Sequence, residues 1–373
     1  MSSQIRIQEH TSLNTVAAWL QAGEEGLVFC VSGESGFAPL TEGVALGVLH
    51  DLARRMPIYV ETTVAHDVRT LERLPILESL FGIALVLSAR SIKTPSQTDV
   101  HSELATELWG RVLKVCGVVG KGNHTGLVFR DPDYWIPHRL RTGSASFPLR
   151  DQFRSALLTI SRSQGFPREQ YSHTENDAIT FLYEAARNSH EHARVDTNER
   201  AIPGIRGILT ERITLASTTE LPSRRDLDPP LRSYIQHIWD TISPKTRLFY
   251  ALTVADLGPG IHNTLPALPG ESSWDRLKRA FQPGQTRKNK TGDLEAGLGL
   301  VKLRASAKRL HALLFVRSSD LLAFSDFSSP GVDADPATLQ PWPDDQLRIG
   351  TSGTSLTLLW PELPDGGDQG TLF

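Results

Sequence analysis

Leu248 to Ala255 (LFYALTVA) is an uninterrupted apolar run. A run this short, without helical periodicity, reads as a buried strand. It leads directly into Asp256-Leu257-Gly258-Pro259-Gly260-Ile261. An acid at the end of a buried strand can project into a pocket. The two glycines let the backbone turn sharply and let a flat ligand come close. Taken alone, the same six residues also describe an ordinary Asp-Gly-Pro turn.

Three further segments bear on this one. Asp177 to Ala193 has the pattern of a helix, with Glu184, Asn188 and His192 spaced by four and therefore on one face. Alone, such a stripe is what a solvated helix face looks like. Ala296-Gly297-Leu298-Gly299-Leu300 precedes a helix-like segment, Val301 to Leu310. Backbone amides at a glycine turn that opens a helix suit a phosphate. The turn lacks the third glycine and preceding strand of a dinucleotide fingerprint. Gly350-Thr351-Ser352-Gly353-Thr354 stands before a strand-like run, Ser355 to Trp360.

The rest of the chain reads as an α/β protein. Leu27 to Val31, Pro57 to Val60 and Ile83 to Leu87 suggest strands, and Thr41 to Arg55 a helix with Val44, Val48, Leu49 and Leu52 on one face. Val68 to Leu80 is leucine-spaced, with Pro75 expected to end or kink the helix. This alternation predicts a small α/β domain over residues 1–100. Ser102 to Cys116 reads as helix, and Gly117 to Gly126 with Asp131 to Pro148 as loop or irregular linker within a connector, 101–149. Arg150 to Ser161 reads as helix, Ile205 to Ala216 and Leu313 to Arg317 as strands, and Leu231 to Ile242 as an amphipathic segment. Residues 362–373 read as a disordered tail.

Several classes are disfavoured. The 39 basic and 42 acidic side chains nearly cancel, so nothing points to a dedicated nucleic-acid binder. Cys30 and Cys116 are too few for a disulfide framework, which fits a cytoplasmic protein. Phe81 to Ala89, the longest strongly apolar stretch, is about half of the roughly 20 residues a membrane helix needs. It reads as a buried strand. Gly120-Lys121-Gly122 lacks the Ser or Thr of a Walker loop and reads as a surface turn.

In their order, the four segments resemble the GHKL ATPase superfamily, which includes DNA gyrase, the MutL repair proteins, the ninety-kilodalton heat-shock chaperones and histidine kinases. Glu184, Asn188 and His192 match its N box. Asp256, Gly258 and Gly260 match its G1 box, and Gly297, Gly299 and Leu300 its G2 box. Phe281 to Lys288 (FQPGQTRK) looks like the opening of the mobile ATP lid, and Gly353-Thr354 like the Gly-Thr before the last strand. The resemblance spans about residues 150–361 and implies a Bergerat-type two-layer α/β sandwich binding ATP and Mg²⁺. It implies that Asp256 accepts from the adenine amine, with Ile261 and Thr354 beside it. Asn188 would ligate Mg²⁺, and the amides from Gly297 through Leu298 and Gly299 to Leu300 would cradle phosphates. His192 would shape the phosphate side, and Glu184 would orient or deprotonate a nucleophile. Arg287, Lys288 and Lys290 would let a flexible loop, hinged at Gly284 and Gly292, close over the triphosphate.

The expected activity is Mg²⁺-dependent ATP hydrolysis or phosphoryl transfer to a protein in a signalling role. The alternative is an ATP-gated interaction module with negligible turnover. A protein partner or substrate is implied, and residues 101–165 offer a region for a homodimer. The chain departs from histidine kinases in having no convincing phosphoacceptor. His173 precedes Thr174-Glu175-Asn176 in a polar stretch, and His190-Glu191 lies inside the N box. Thr218 to Pro244 looks like an insertion. The N-terminal hundred residues weakly resemble a STAS domain, with Thr41 as a helix cap in place of a phosphorylatable serine. Charge is unevenly spread. Residues 275–309 hold ten Lys or Arg and three acids, and residues 333–368 one Arg and seven acids. The basic block covers the lid and the glycine turn, where a triphosphate needs counter-charge.

Overall fold

The structure, a computed structural model, describes residues 3–8, 11–21, 26–32, 37–38, 41–63, 67–71, 74–114, 118–121, 124–131, 150–155, 171–194, 200, 202, 204–215, 227–244, 246–285, 297–328, 339–343 and 350–362. Within these the chain is a mixed α/β protein with two sheets. The first is parallel, in the order β1 (Ser3–Arg6), β2 (Leu27–Val31), β3 (Ile58–Thr62), β4 (Ala89–Lys93). Parallel neighbours need crossovers. These are α1 (Leu13–Trp19), α2 (Glu42–Arg55), and a trio of α3 (Val68–Leu71), α4 (Pro75–Glu78) and α5 (Leu80–Ser88). In β3, Ile58, Val60 and Thr62 are buried while Tyr59 and Glu61 are half-exposed, the mark of a sheet with one covered face.

One expectation fails here: Ile83 to Leu87 is not a strand but lies within α5. The leucine-spaced segment is helical with a break before Pro75, as α3 and α4, and Leu80 opens α5. Leu80 to Val86 are all buried. A short apolar run buried all round has no period to betray whether it is strand or helix. Pro75 opens α4 at its first turn, where a missing N–H costs nothing. Glu42, buried at the start of α2, accepts from the Phe81 N–H at the start of α5 at 2.8 Å.

The second sheet has eight strands, all antiparallel, in the order β11-β10-β9-β12-β8-β7-β6-β5. These are β5 (Val118–Lys121), β6 (His124–Asp131), β7 (Gly204–Thr214), β8 (Leu248–Asp256), β9 (Leu313–Ser318), β10 (Leu321–Asp326), β11 (Gln340–Pro341) and β12 (Thr354–Pro361). The helices are α6 (His101–Lys114), α7 (Tyr171–His192), α8 (Pro229–His237), α9 (Ser273–Ala280) and α10 (Gly299–Arg309). Residues 150–155 are helical. The irregular reading of Gly117 to Gly126 gives way to the β5-β6 hairpin. The amphipathic segment before β8 is α8 followed by a wider turn, Ile238–Ile242. Residues 132–149 and the tail 363–373 lie outside the described residues.

The side chains of this sheet alternate strictly between two faces. Leu252 and Val254 of β8, Leu314 and Val316 of β9, and Leu356 and Leu358 of β12 pack with Phe181, Leu182 and Ala185 of α7 and Leu303 and Ala307 of α10. Full burial of each such aliphatic side chain stabilises the fold by ~1.5–3 kcal/mol. At one end of the opposite face, Phe249, Ala251, Leu313 and Leu359 pack with Tyr234, Ile235 and Trp239 from α8 and the turn after it. At the other end, Leu209, Ala255 and Phe315 join the core of the N-terminal unit, and α2 lies against β8 and β12. Helix α2 is thus sandwiched between two sheets, which is why nearly every residue from Glu42 to Leu49 is buried. No helix among the described residues is long and apolar enough to cross a membrane.

Candidate functional site

Helix α7 forms because Ala178, Ile179, Phe181, Leu182, Ala185 and Ala186 make an apolar stripe at helical spacing, all buried against the sheet. The adjoining stripe carries Glu184, Asn188 and His192, and all three line one cavity. Asp256, the last residue of β8, lies on the same face of the sheet as Leu252 and Val254 and forms part of that cavity. Gly258, Gly260 and Ile261 continue its wall. Gly297, Gly299 and Leu300 enclose it from the start of α10, and Thr354 from the start of β12. Leu298 is the N-cap of α10 and is half-exposed. Arg287, Lys288, Lys290 and Gly292 lie outside the described residues. The space between these walls and the open mouth amounts to about 1030 Å³, solvent at the mouth included.

One end of the cavity is built around Asp256, which is buried. Its Oδ1 accepts from the Gly258 N–H and from the Thr354 N–H, each at 3.0 Å. Burial pushes its pKa up to about 6, opposed by the two N–H bonds and by the charges of Arg206 and Arg317. Neither bond uses Oδ2, so Asp256 keeps accepting capacity toward the cavity. Only glycine fits at 258, because a Cβ there would stand 2.5 Å from the Ala193 Cα at the end of α7. The turn after Gly260 is tied to the sheet by His262, whose backbone N–H donates to Ser318 Oγ at 3.2 Å.

The other end is polar and faces the start of α10. A Cβ on Gly299 would lie 3.1 Å from Glu184 Oε2 and 3.4 Å from Asn188 Oδ1. The glycine turn therefore lies directly against both side chains, beside the positive end of the α10 dipole. Asn188 Nδ2 is buried and has no partner among the described residues. Lys302, one turn into α10, places Nζ 3.6 Å from Glu184 Oε1. Among the described residues no group of three or more His, Cys, Asp or Glu is placed to hold a metal ion by itself.

Sequence reasoning missed two buried cations near Asp256. Arg206 on β7 donates to Ser189 Oγ at 3.2 Å and stacks over Phe129 at 5.5 Å. Arg317 on β9 is fully buried behind the cavity. The only signal for either was a charged residue inside or at the end of an apolar strand. Comparison with known protein families, curated proteins and solved structures returns no match.

Proposed function

We propose that this chain is an ATP-binding protein of the histidine kinase-like GHKL class, with a Bergerat-type fold over about residues 150–361. In this reading it uses Mg²⁺ to transfer the γ-phosphoryl group of ATP to water or to a protein side chain in a signalling role. The observation that carries the reading is that four sequence-distant motifs, from Glu184 to Thr354, line one cavity. Asp256 supplies a buried acceptor at one end, where an adenine amine would donate to it. The amides of Gly297 to Leu300, at a helix N-terminus, suit phosphate oxygens at the other. One residue fits the ion: Asn188 lines the cavity, and its amide oxygen is the kind of ligand that Mg²⁺ takes while keeping waters. Held by the Asn188 amide oxygen, the ion would offset phosphate charge. Glu184 stands next to Asn188 and to the glycine turn, where a carboxylate can orient or deprotonate a nucleophile. Arg287 and Lys288, in the basic block, would add counter-charge.

Lys302 favours a second reading. Its ammonium lies 3.6 Å from the Glu184 carboxylate, and a carboxylate engaged by a neighbouring cation is less free to orient a nucleophile. That suits a nucleotide-gated interaction module with negligible turnover. ADP formation distinguishes the two. Under the first reading, wild type releases phosphate or labels a protein, and Glu184→Ala abolishes this while ATP still binds. Absence of ADP formation in wild type, alone and with partners, leaves the gating reading. Under both, Asp256→Asn places a donor toward the adenine amine and costs ~1–3 kcal/mol, roughly five- to two-hundred-fold in affinity. Unchanged affinity in calorimetry rejects the adenine assignment.

A further inference from the structure

The base end of the cavity is closed from behind by the N-terminal unit. Arg317 Nη2 donates to Thr351 Oγ1 and, at 2.5 Å, to the Ser352 carbonyl. Asp51, near the end of α2, accepts from the Ser352 N–H at 3.0 Å and from its hydroxyl at 2.7 Å. The 351–352 turn is therefore gripped by a cation from the sheet and an anion from α2. The next two residues reach the cavity. The Gly353 N–H donates to the Gly258 carbonyl at 2.5 Å, and the Thr354 N–H donates to Asp256. Hydrogen bonds on three successive residues, Ser352, Gly353 and Thr354, thus tie α2 to the carboxylate at the base end through the backbone between them.

The packing has no slack. A Cβ on Gly47 of α2 would overlap the Arg317 guanidinium, and one on Gly43 would meet Ser355 Oγ at 2.6 Å. Nε and Nη1 of Arg317 have no partner among the described residues. Its charge is offset across space by Asp51 and Asp256, on opposite sides of the sheet.

We propose that Arg317 and Asp51 are positioning residues for the nucleobase end of the site, so that docking of α2 sets base recognition and nucleotide binding in turn tightens that docking. The inference rests on the adenine-nucleotide reading, and the two effects are reciprocal because they share one free energy of coupling. Two measurements on the full chain test it. The first is calorimetry with ATP·Mg²⁺ and GTP·Mg²⁺ on wild type and Asp51→Ala. The second is backbone hydrogen exchange over residues 42–55 of wild type with and without ATP. The expected result is about fivefold or greater loss of ATP affinity, a narrowed preference for ATP over GTP, and slower exchange in α2 with ATP. Equal weakening of both nucleotides marks a merely structural role and overturns the proposal, as does unchanged ATP affinity. Exchange in α2 that ignores ATP overturns it too, and needs no variant to fold. If wild type binds no ATP, the adenine reading falls and takes this inference with it. If wild type binds ATP and these responses are absent, only the inference falls.

Discussion

The two faces of the eight-stranded sheet are built from alternate residues of the same strands, yet they are chemically unlike. Between the strands and α7 and α10, β8, β9 and β12 present Leu252, Val254, Leu314, Val316, Leu356 and Leu358. Toward α2, the residues next in sequence are Thr253, Ala255, Phe315, Arg317, Ser355 and Thr357, all buried. The first face is dry and apolar until it opens into the cavity. The second is mixed, with Thr253, Arg317, Ser355 and Thr357 polar beside Ala255 and Phe315, and the glycines of α2 meet its polar part. An apolar face stabilises through area and tolerates some repacking. A buried polar face contributes less net free energy but penalises any misplacement, because each unpaired group keeps its full desolvation cost. The contrast implies that the first face supplies most of the stability and the second fixes how the N-terminal unit is seated.

The sharpest way to break this contrast is to damage the apolar face. Phe181 is fully buried on α7, and Phe181→Ala should cost ~3–5 kcal/mol. A urea titration that shows less than ~1 kcal/mol would mean that the apolar face is not the main support. Asp256→Asn comes next, because the pKa of this group is raised when folded. Such a group is no burden below the ordinary value of 3.8 and loses stability for the fold as pH rises through about 6. Unliganded Asp256→Asn should therefore be more stable than wild type at pH 7.5, by up to about 3 kcal/mol. That advantage should vanish near pH 4. Urea midpoints at the two pH values check the sign; a variant less stable at pH 7.5 would mean that the surrounding cations outweigh burial. The smallest effect probes the polar face. Thr253 and Thr357 share a hydrogen bond of 2.8 Å between their hydroxyls. Thr357→Val alone should cost ~1–3 kcal/mol by orphaning Thr253, whereas Thr253→Val with Thr357→Val should be nearly neutral. A double variant as damaged as the single one would show that the face is not governed by polar pairing.

Much of the apolar face and its cavity was legible in the sequence, and the polar face was not. The run Leu248 to Ala255 and the stripe of α7 have local signatures, so β8, α7 and the shared face of Glu184, Asn188 and His192 followed from local patterns, whereas joining Asp256 to them needed the resemblance. Arg317 and Asp51 have no local signature. Asp51 meets Ser352 across 301 residues of chain, and a charge at the end of an apolar strand reads like the start of a loop. The β5-β6 hairpin was hidden for a related reason. Its strands include Gly120 and Gly126 and are specified by pairing, β6 with β7 and β5 with β6, not by their own composition. Strands β1 and β4, short and largely polar, were overlooked, as was β10. The basic loop with Arg287 and Lys288 lies outside the described residues.

The position of β12 has a consequence for how the protein is made. It follows every other strand among the described residues, yet it lies in the middle of its sheet, between β9 and β8. On a ribosome, β8 emerges with a bare edge, and Asp256 waits for its partner Thr354 through 98 residues of further synthesis. At about 5–20 residues per second that is roughly 5–20 s. During that interval the apolar strands on either side have no central neighbour, so the nascent chain holds an unsealed, aggregation-prone sheet. Folding of the cavity is thereby timed to the arrival of its last strand.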